Sequence, residues 1–203
     1  MELELKTRKS SVERKTEETS VSIKINIDGT GKSEISTANG MFNHLLSQLS
    51  KHSLIDITIS VTGDDEVGWH HIVEDTAVCI GRALKEAVKE GKGITRMGHS
   101  FVPLDESLSL AVVDFSGRGY SILEMDLLSD SDLGDLTSDL IVHFLETLSR
   151  EAGFNLHLQI LRGNNNHHKA ESSFKALARA FNMALSIQNK ANNEVPSTKG
   201  TIT

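Results

Sequence analysis

The 203-residue chain is written twice. The segment His44-Leu45-Leu46-x-x-Leu49-Ser50 returns as His143-Phe144-Leu145-x-x-Leu148-Ser149, and His70-His71-x-x-Glu74 returns as His167-His168-x-x-Glu171. His44 precedes His70 by 26 residues and His143 precedes His167 by 24, so both signatures fall at one place in each copy. Glu18 precedes Gly29 by 11 residues, and Glu106 precedes Gly117 by the same 11. The period of 97 residues, from His70 to His167, exceeds the roughly 20–50 of solenoid repeats. The chain therefore reads as two similar α+β half-domains packed through their helices.

Hydrophobic periodicity orders the elements. Val21 to Ile27 alternates with polar residues as a half-buried strand, and Asp28-Gly29 then signals a tight turn and a hairpin. Phe42, Leu45, Leu46 and Leu49 recur at helical spacing, Ile55 to Val61 alternates again, and the next helix carries His70 and His71. The second copy repeats this order through a strand at Leu108–Val112, a turn at Ser116–Gly119, a strand running to Leu128, a helix with His143, a strand at Asn155–Leu161 and a last long helix opened by His167. These patterns divide the chain into a first half-domain over 1–91, a second over 92–188, and a C-terminal tail over 189–203. The acidic stretch from Asp126 to Asp139 reads as exposed.

Composition removes several functions. A formal charge of -7, one Trp and one Tyr give neither the basic stripe nor the stacking platforms of a nucleic-acid binder. No apolar run approaches the roughly 18 residues of a membrane span, and the N-terminus lacks the apolar stretch of a secretory signal. With Cys79 as the one cysteine there is no disulfide framework, and the expected home is a reducing cytoplasm.

Nine histidines, four of them in two adjacent pairs, carry the functional argument. On a helix, residues four apart share a face, so His70 with Glu74 and His167 with Glu171 can each grip an ion, while His71 and His168 point about 100° away. Exchange of those leftover histidines, with His44 and His143 from the preceding helices, gives each ion three imidazoles and one carboxylate. Nitrogen and oxygen donors without thiolate suit manganese, iron, cobalt or zinc. His99 and His157 have no assigned role, since His157 shares a polar strand face with Asn155 and Gln159.

Five segments resemble the imidazoleglycerol-phosphate dehydratase family: Arg14-x-Thr16-x-Glu18-Thr19, Asp28-Gly29-x-Gly31, His70-His71-x-x-Glu74-Asp75-Thr76, Ser116-Gly117-Arg118, and Asn166-His167-His168-x-x-Glu171-x-x-Phe174-Lys175-Ala176-Leu177-Ala178-Arg179-Ala180. The resemblance implies helices sandwiched between two mixed sheets, a 24-subunit shell with sites shared between subunits, and two manganese ions. It places one ion on His44, His71, His167 and Glu171, and the other on His70, Glu74, His143 and His168. It puts substrate contacts on Glu18, His52, Arg96, Arg118, Lys175, Ser197, Thr198 and Lys199, with the terminal segment closing over a phosphate. Asn43 stands where the family has Asp, Trp69 where it has an acidic residue, and Gly119 where it often has Pro. An amide at Asn43 orients a neighbouring histidine less strongly than a carboxylate, which implies weaker metal binding there.

The implied reaction dehydrates imidazole glycerol phosphate to imidazole acetol phosphate in histidine biosynthesis. No carbonyl acidifies the proton that leaves, so the imidazole must supply the activation, and metals on its two nitrogens favour imidazolate. Glu18 is the candidate base, with Glu106 its rival at the equivalent position. A two-metal phosphohydrolase and a metal-stapled assembly protein without turnover also accommodate the histidine motifs.

Overall fold

The computed structural model describes residues 8–63, 66, 68–127, 133–188 and 194–202. Two halves follow one plan. The first runs β1 (Lys9–Lys15), β2 (Thr19–Asn26), β3 (Ser33–Ser36), α1 (Gly40–Ser53), β4 (Asp56–Gly63) and α2 (His70–Val88). The second runs β5 (Met97–Leu104), β6 (Ser107–Asp114), β7 (Tyr120–Glu124), α3 (Ser138–Ala152), β8 (Asn155–Arg162) and α4 (Asn166–Leu185). The sheets have matching orders, β1-β2-β4-β3 and β5-β6-β8-β7, each with one parallel edge pair.

Strand alternation builds the core. Val21, Ile23 and Ile25 of β2 pair with Val61, Ile59 and Ile57 of β4, and all six side chains are buried on the face that α2 covers. In the second sheet, α4 lies on β5 and β6. The helices also pack across the halves, α1 on α4 and α2 on α3, so they form the filling between the two sheets. Phe144 of α3 joins the halves, its ring 5.3 Å from Phe42 of α1 and 5.7 Å from Phe174 of α4. Burying side chains of this kind contributes about 1.5–3 kcal/mol each.

The helix ends show why the local sequence repeats. Asn39 caps α1 by accepting from the Phe42 N–H, and Asn165 caps α4 by accepting from the His168 N–H. Ser50 donates its hydroxyl to the Ile55 carbonyl at 2.7 Å, and Ser149 does the same to Phe154 at 2.7 Å, fastening each helix to the strand that follows. Gly153 ends α3 at φ +74, a left-handed turn that favours glycine.

Two expectations are corrected. Asp28-Gly29 does not close a hairpin between β2 and β3, because β4 lies between them, antiparallel to β2 and parallel to β3. The turn instead wraps the start of β4, where the Asp56 carboxylate accepts from the N–H groups of Thr30 and Lys32. The stretch from Asp126 to Asp139 is not uniformly exposed: Leu133 and Leu136 are buried in the core, while residues 128–132 lie outside the described set. No described helix is long and apolar enough to cross a membrane.

Candidate active site

α1 and α4 run in one direction side by side, with His44 beside Glu171 near their starts and Ser53 bonded to Asn182 near their ends. α2 and α3 do likewise, with His70 against His143 and Arg82 paired with Glu151. This parallel pairing brings the predicted donors together on two separate helix pairs, one histidine motif on each.

His44 Nε2 lies 2.8 Å and His167 Nε2 3.1 Å from Glu171 Oε2. In the other half, His70 Nε2 lies 3.7 Å from one Glu74 oxygen, and His143 Nε2 lies 3.5 Å from the other. Each trio offers donor atoms within 4.8 Å of one another. His143 Nε2 is buried and makes no hydrogen bond among the described residues, an omission that costs about 1–3 kcal/mol and that a cation removes. Two imidazoles and a carboxylate, without thiolate, fit a divalent first-row ion.

His71 and His168 stand outside the trios of their own chain, as the 100° between adjacent helical residues requires. His71 Nε2 faces the exposed carboxylate of Glu18 at 3.8 Å. His168 Nδ1 meets Glu106 at 2.7 Å and Asp105 lies 3.7 Å from its Nε2. N–H groups of Asn165 and Asn164, with His168, hold the Glu106 carboxyl far below its usual range, and Glu106 in turn raises the His168 pKa. Burial opposes ionisation of Glu171, but Lys175, 2.6 Å away, and His44 outweigh it and bring its pKa down to about 2.

Apart from Glu18, beside His71, the predicted substrate residues divide between two places. His52 and Lys175 lie along the α1–α4 pair near Glu171; burial and the charges of Lys175 and Arg179 depress the His52 pKa. Arg96, Arg118, Ser197, Thr198 and Lys199 instead line a cleft of about 590 Å³, joined by Ser116 and Pro196. Arg96 has a left-handed backbone at φ +73, and Asp114 receives its Nε and Nη2 while Pro196 O receives its Nη1. Terminal residues 194–202 are docked here, with the Gly93 N–H donated to Glu194 O and Ile202 packed on the core. Residues 189–193 and 203 of the tail lie outside the described set.

Sequence reasoning missed Asp114, which closes an ordinary strand with no motif to mark it, and gave no role to Arg179, although Arg179 lies within the Asn166–Ala180 segment that carries the resemblance. It also tied Asn43 to the orientation of a neighbouring histidine. Asn43 Oδ1 accepts from the Thr37 N–H at 2.9 Å and hydroxyl at 2.7 Å, so this oxygen fastens the loop before α1.

A model of the imidazoleglycerol-phosphate dehydratase family matches residues 37–181. A dehydratase of that name from Dehalococcoides mccartyi is 48% identical over 193 residues, covering 95% of this chain and 96% of its own. Another, from a Polaromonas species, is 45% identical over 196 residues, covering 96% of this chain and 94% of its own. The crystal structure of imidazoleglycerol-phosphate dehydratase from Staphylococcus aureus superposes with a TM-score of 0.80 at 33% identity, covering 89% of this chain and 99% of that one. With near-complete coverage in both directions and a shared architecture, the chain belongs to the imidazoleglycerol-phosphate dehydratase family.

Proposed function

We propose that this chain dehydrates imidazole glycerol phosphate to imidazole acetol phosphate in histidine biosynthesis, using two manganese ions. The supporting observation is the pair of matched trios, His44, His167, Glu171 and His70, Glu74, His143, accompanied by a cationic cleft suited to a phosphate. Bound divalent ions would supply Lewis acidity to the substrate's ring nitrogens. Arg118, Lys199 and the Ser197 and Thr198 hydroxyls offer charge-assisted and neutral hydrogen bonds to phosphate, with Arg96 held in place by Asp114. Glu18 takes the proton from the side-chain carbon beside the one that loses hydroxide, leaving an enol that becomes the ketone. Glu106 is a poor rival, because Asn164, Asn165, Ser107 and His168 already occupy its carboxylate.

One copy of the chain does not hold a complete site in this reading. The Arg96 N–H is donated to Ala184 O at the end of α4, thirteen residues beyond Glu171, or about 20 Å along the helix. The substrate's side chain from ring to phosphorus spans roughly 7 Å at bond lengths near 1.5 Å. A second copy must therefore bring its cleft to the metal trios, and with it His71 and His168 as fourth ligands, in line with a 24-subunit shell.

The reading is tested by supplying imidazole glycerol phosphate to chelator-stripped protein with and without manganese, measuring ketone and free phosphate. Manganese-dependent ketone without phosphate is the expected result. Phosphate release would point to a hydrolase, and neither product would leave a metal-held assembly protein.

A further inference from the structure

Beneath the turn that carries Glu18 is a buried polar knot. Asp75, on α2 next to Glu74, accepts from the Arg14 guanidinium of β1 and from the Thr19 hydroxyl at the start of β2. Asp75 and Thr19 are 7% and 4% exposed and the Arg14 side chain is a third exposed, so the Thr19–Asp75 bond is shielded from water and the Arg14–Asp75 pair is shielded on the Asp75 side. Above them, Thr16 Oγ1 accepts from the N–H groups of Glu18 at 3.2 Å and Thr19 at 3.0 Å. Gly63 closes the other side: a Cβ there would meet the Glu18 carbonyl and the Thr19 methyl at 3.1 Å and Ile72 of α2 at 3.2 Å. The Glu18 backbone is thus fixed from three directions, and its carboxylate takes no part in the fixing.

The second half lacks this arrangement. At the positions equivalent to Arg14, Thr19 and Asp75 stand Val102, Ser107 and Ser172. Ser172 bonds to Ser109 instead, and the turn is held through the Glu106 carboxylate itself. A half-buried ion pair adds little to stability by itself, and a buried carboxylate such as Asp75 is often replaceable by an apolar residue, so their presence beneath one of two equivalent turns points to another role.

We propose that the Arg14–Asp75–Thr19 knot is a positioning device that locks the Glu18 carboxylate in register with α2, and so with the His70, His71 and Glu74 donors that α2 carries. Asp75 touches neither substrate nor metal and acts through Glu18. The idea rests on the reading of Glu18 as the base.

The experiment is a double-mutant cycle on the manganese-loaded assembly, combining Asp75→Asn with Glu18→Gln, with kcat, KM, manganese affinity by paramagnetic resonance and thermal stability read for each variant. Asp75→Asn is expected to lower kcat by about ten- to a hundred-fold, the scale of a displaced catalytic group, while KM and manganese affinity stay within about two-fold. In the Glu18→Gln background the same change should cost less than about two-fold, because there is no base left to misplace. Thr19→Val, which removes only a hydroxyl, should follow the same pattern more weakly and takes the place of Asp75→Asn if that variant does not fold. Equal kcat losses in both backgrounds, unchanged kcat in Asp75→Asn, or a loss confined to manganese affinity would each overturn the proposal. Near-normal turnover in Glu18→Gln alone would instead overturn the base assignment on which it rests.

Discussion

The two-residue hairpin tips Glu17-Glu18 and Asp105-Glu106 occupy the same place in the two halves, and each sets a glutamate beside the second histidine of a His-His pair. They differ in where the anchoring falls. The first tip is held through its backbone and through Thr16 and Thr19, leaving Glu18 exposed, whereas the second is held through the Glu106 carboxylate. A duplicated scaffold thus yields one carboxylate able to take a proton and another spent on orienting an imidazole. The difference lies in which polar atoms satisfy the turn, not in the turn itself.

The sharpest way to break this comparison is to substitute both glutamates. Glu18→Gln is expected to lower kcat by about 10²–10⁴-fold, the range for losing a general base, with manganese affinity retained. Glu106→Gln should instead weaken manganese binding by about 10–100-fold, as loss of a histidine's hydrogen-bonded carboxylate does, with most of kcat restored at saturating metal. If the two variants fail in the same way, the division of labour between the halves is wrong.

A smaller effect concerns the turns that begin each third strand. Asp56 receives the Thr30 and Lys32 N–H groups, while its counterpart Asn155 receives only the Ser116 hydroxyl among the contacts resolved. Burial opposes ionisation of Asp56, but the N–H groups of Lys32 and Thr30 outweigh it and lower its pKa. A lowered folded pKa means the carboxylate contributes stability above its unfolded value near 4 and loses it as pH falls toward the folded one. Asp56→Asn should therefore cost about 1–2 kcal/mol near pH 7 in denaturant melts, and the gap from the parent should close below about pH 4. A deficit that persists unchanged in acid would show that charge is not its source.

The smallest effect is a sameness. Ser50→Ala and Ser149→Ala each remove the buried hydroxyl bond that leads into the next strand, Ser50→Ala also losing a longer contact to the Lys32 carbonyl at 3.2 Å, and each should cost about 1 kcal/mol, agreeing within about 0.5. Clearly unequal costs would mean that the halves have diverged in packing as well as in polar contacts.

The duplication, the four helices and the inner strands were legible because each is a local pattern, from the 3.6-residue recurrence of Phe42, Leu45 and Leu49 to the alternation of Ile55–Val61, whereas the edge strands β1 and β5 were not read, β1 having only Val12 as an apolar residue. The insertion of β4 between β2 and β3 was not, since sheet order is settled by which distant strands meet across the core. Leu133 and Leu136 were hidden by their acidic neighbours, although two apolar residues suffice to tie a polar stretch to the core. At the site, helical spacing accounted for the pairs His70 with Glu74 and His167 with Glu171, while the crossing of His44 and His143 to the other half's pair came from the resemblance; spacing was silent on the ion pairs around the site. It gave no sign of Asp114 beneath Arg96 or of Arg14 beneath Asp75, because ion pairs between separate elements leave no periodic trace.

The most direct test of the account is an anomalous difference map at the manganese edge from crystals of the metal-loaded assembly. It should show two peaks per chain, one at His44, His167 and Glu171 and one at His70, Glu74 and His143, each completed by a histidine from the pairs His71 or His168 of a neighbouring copy. Peaks away from these trios, or none in protein that still forms the ketone, would contradict it.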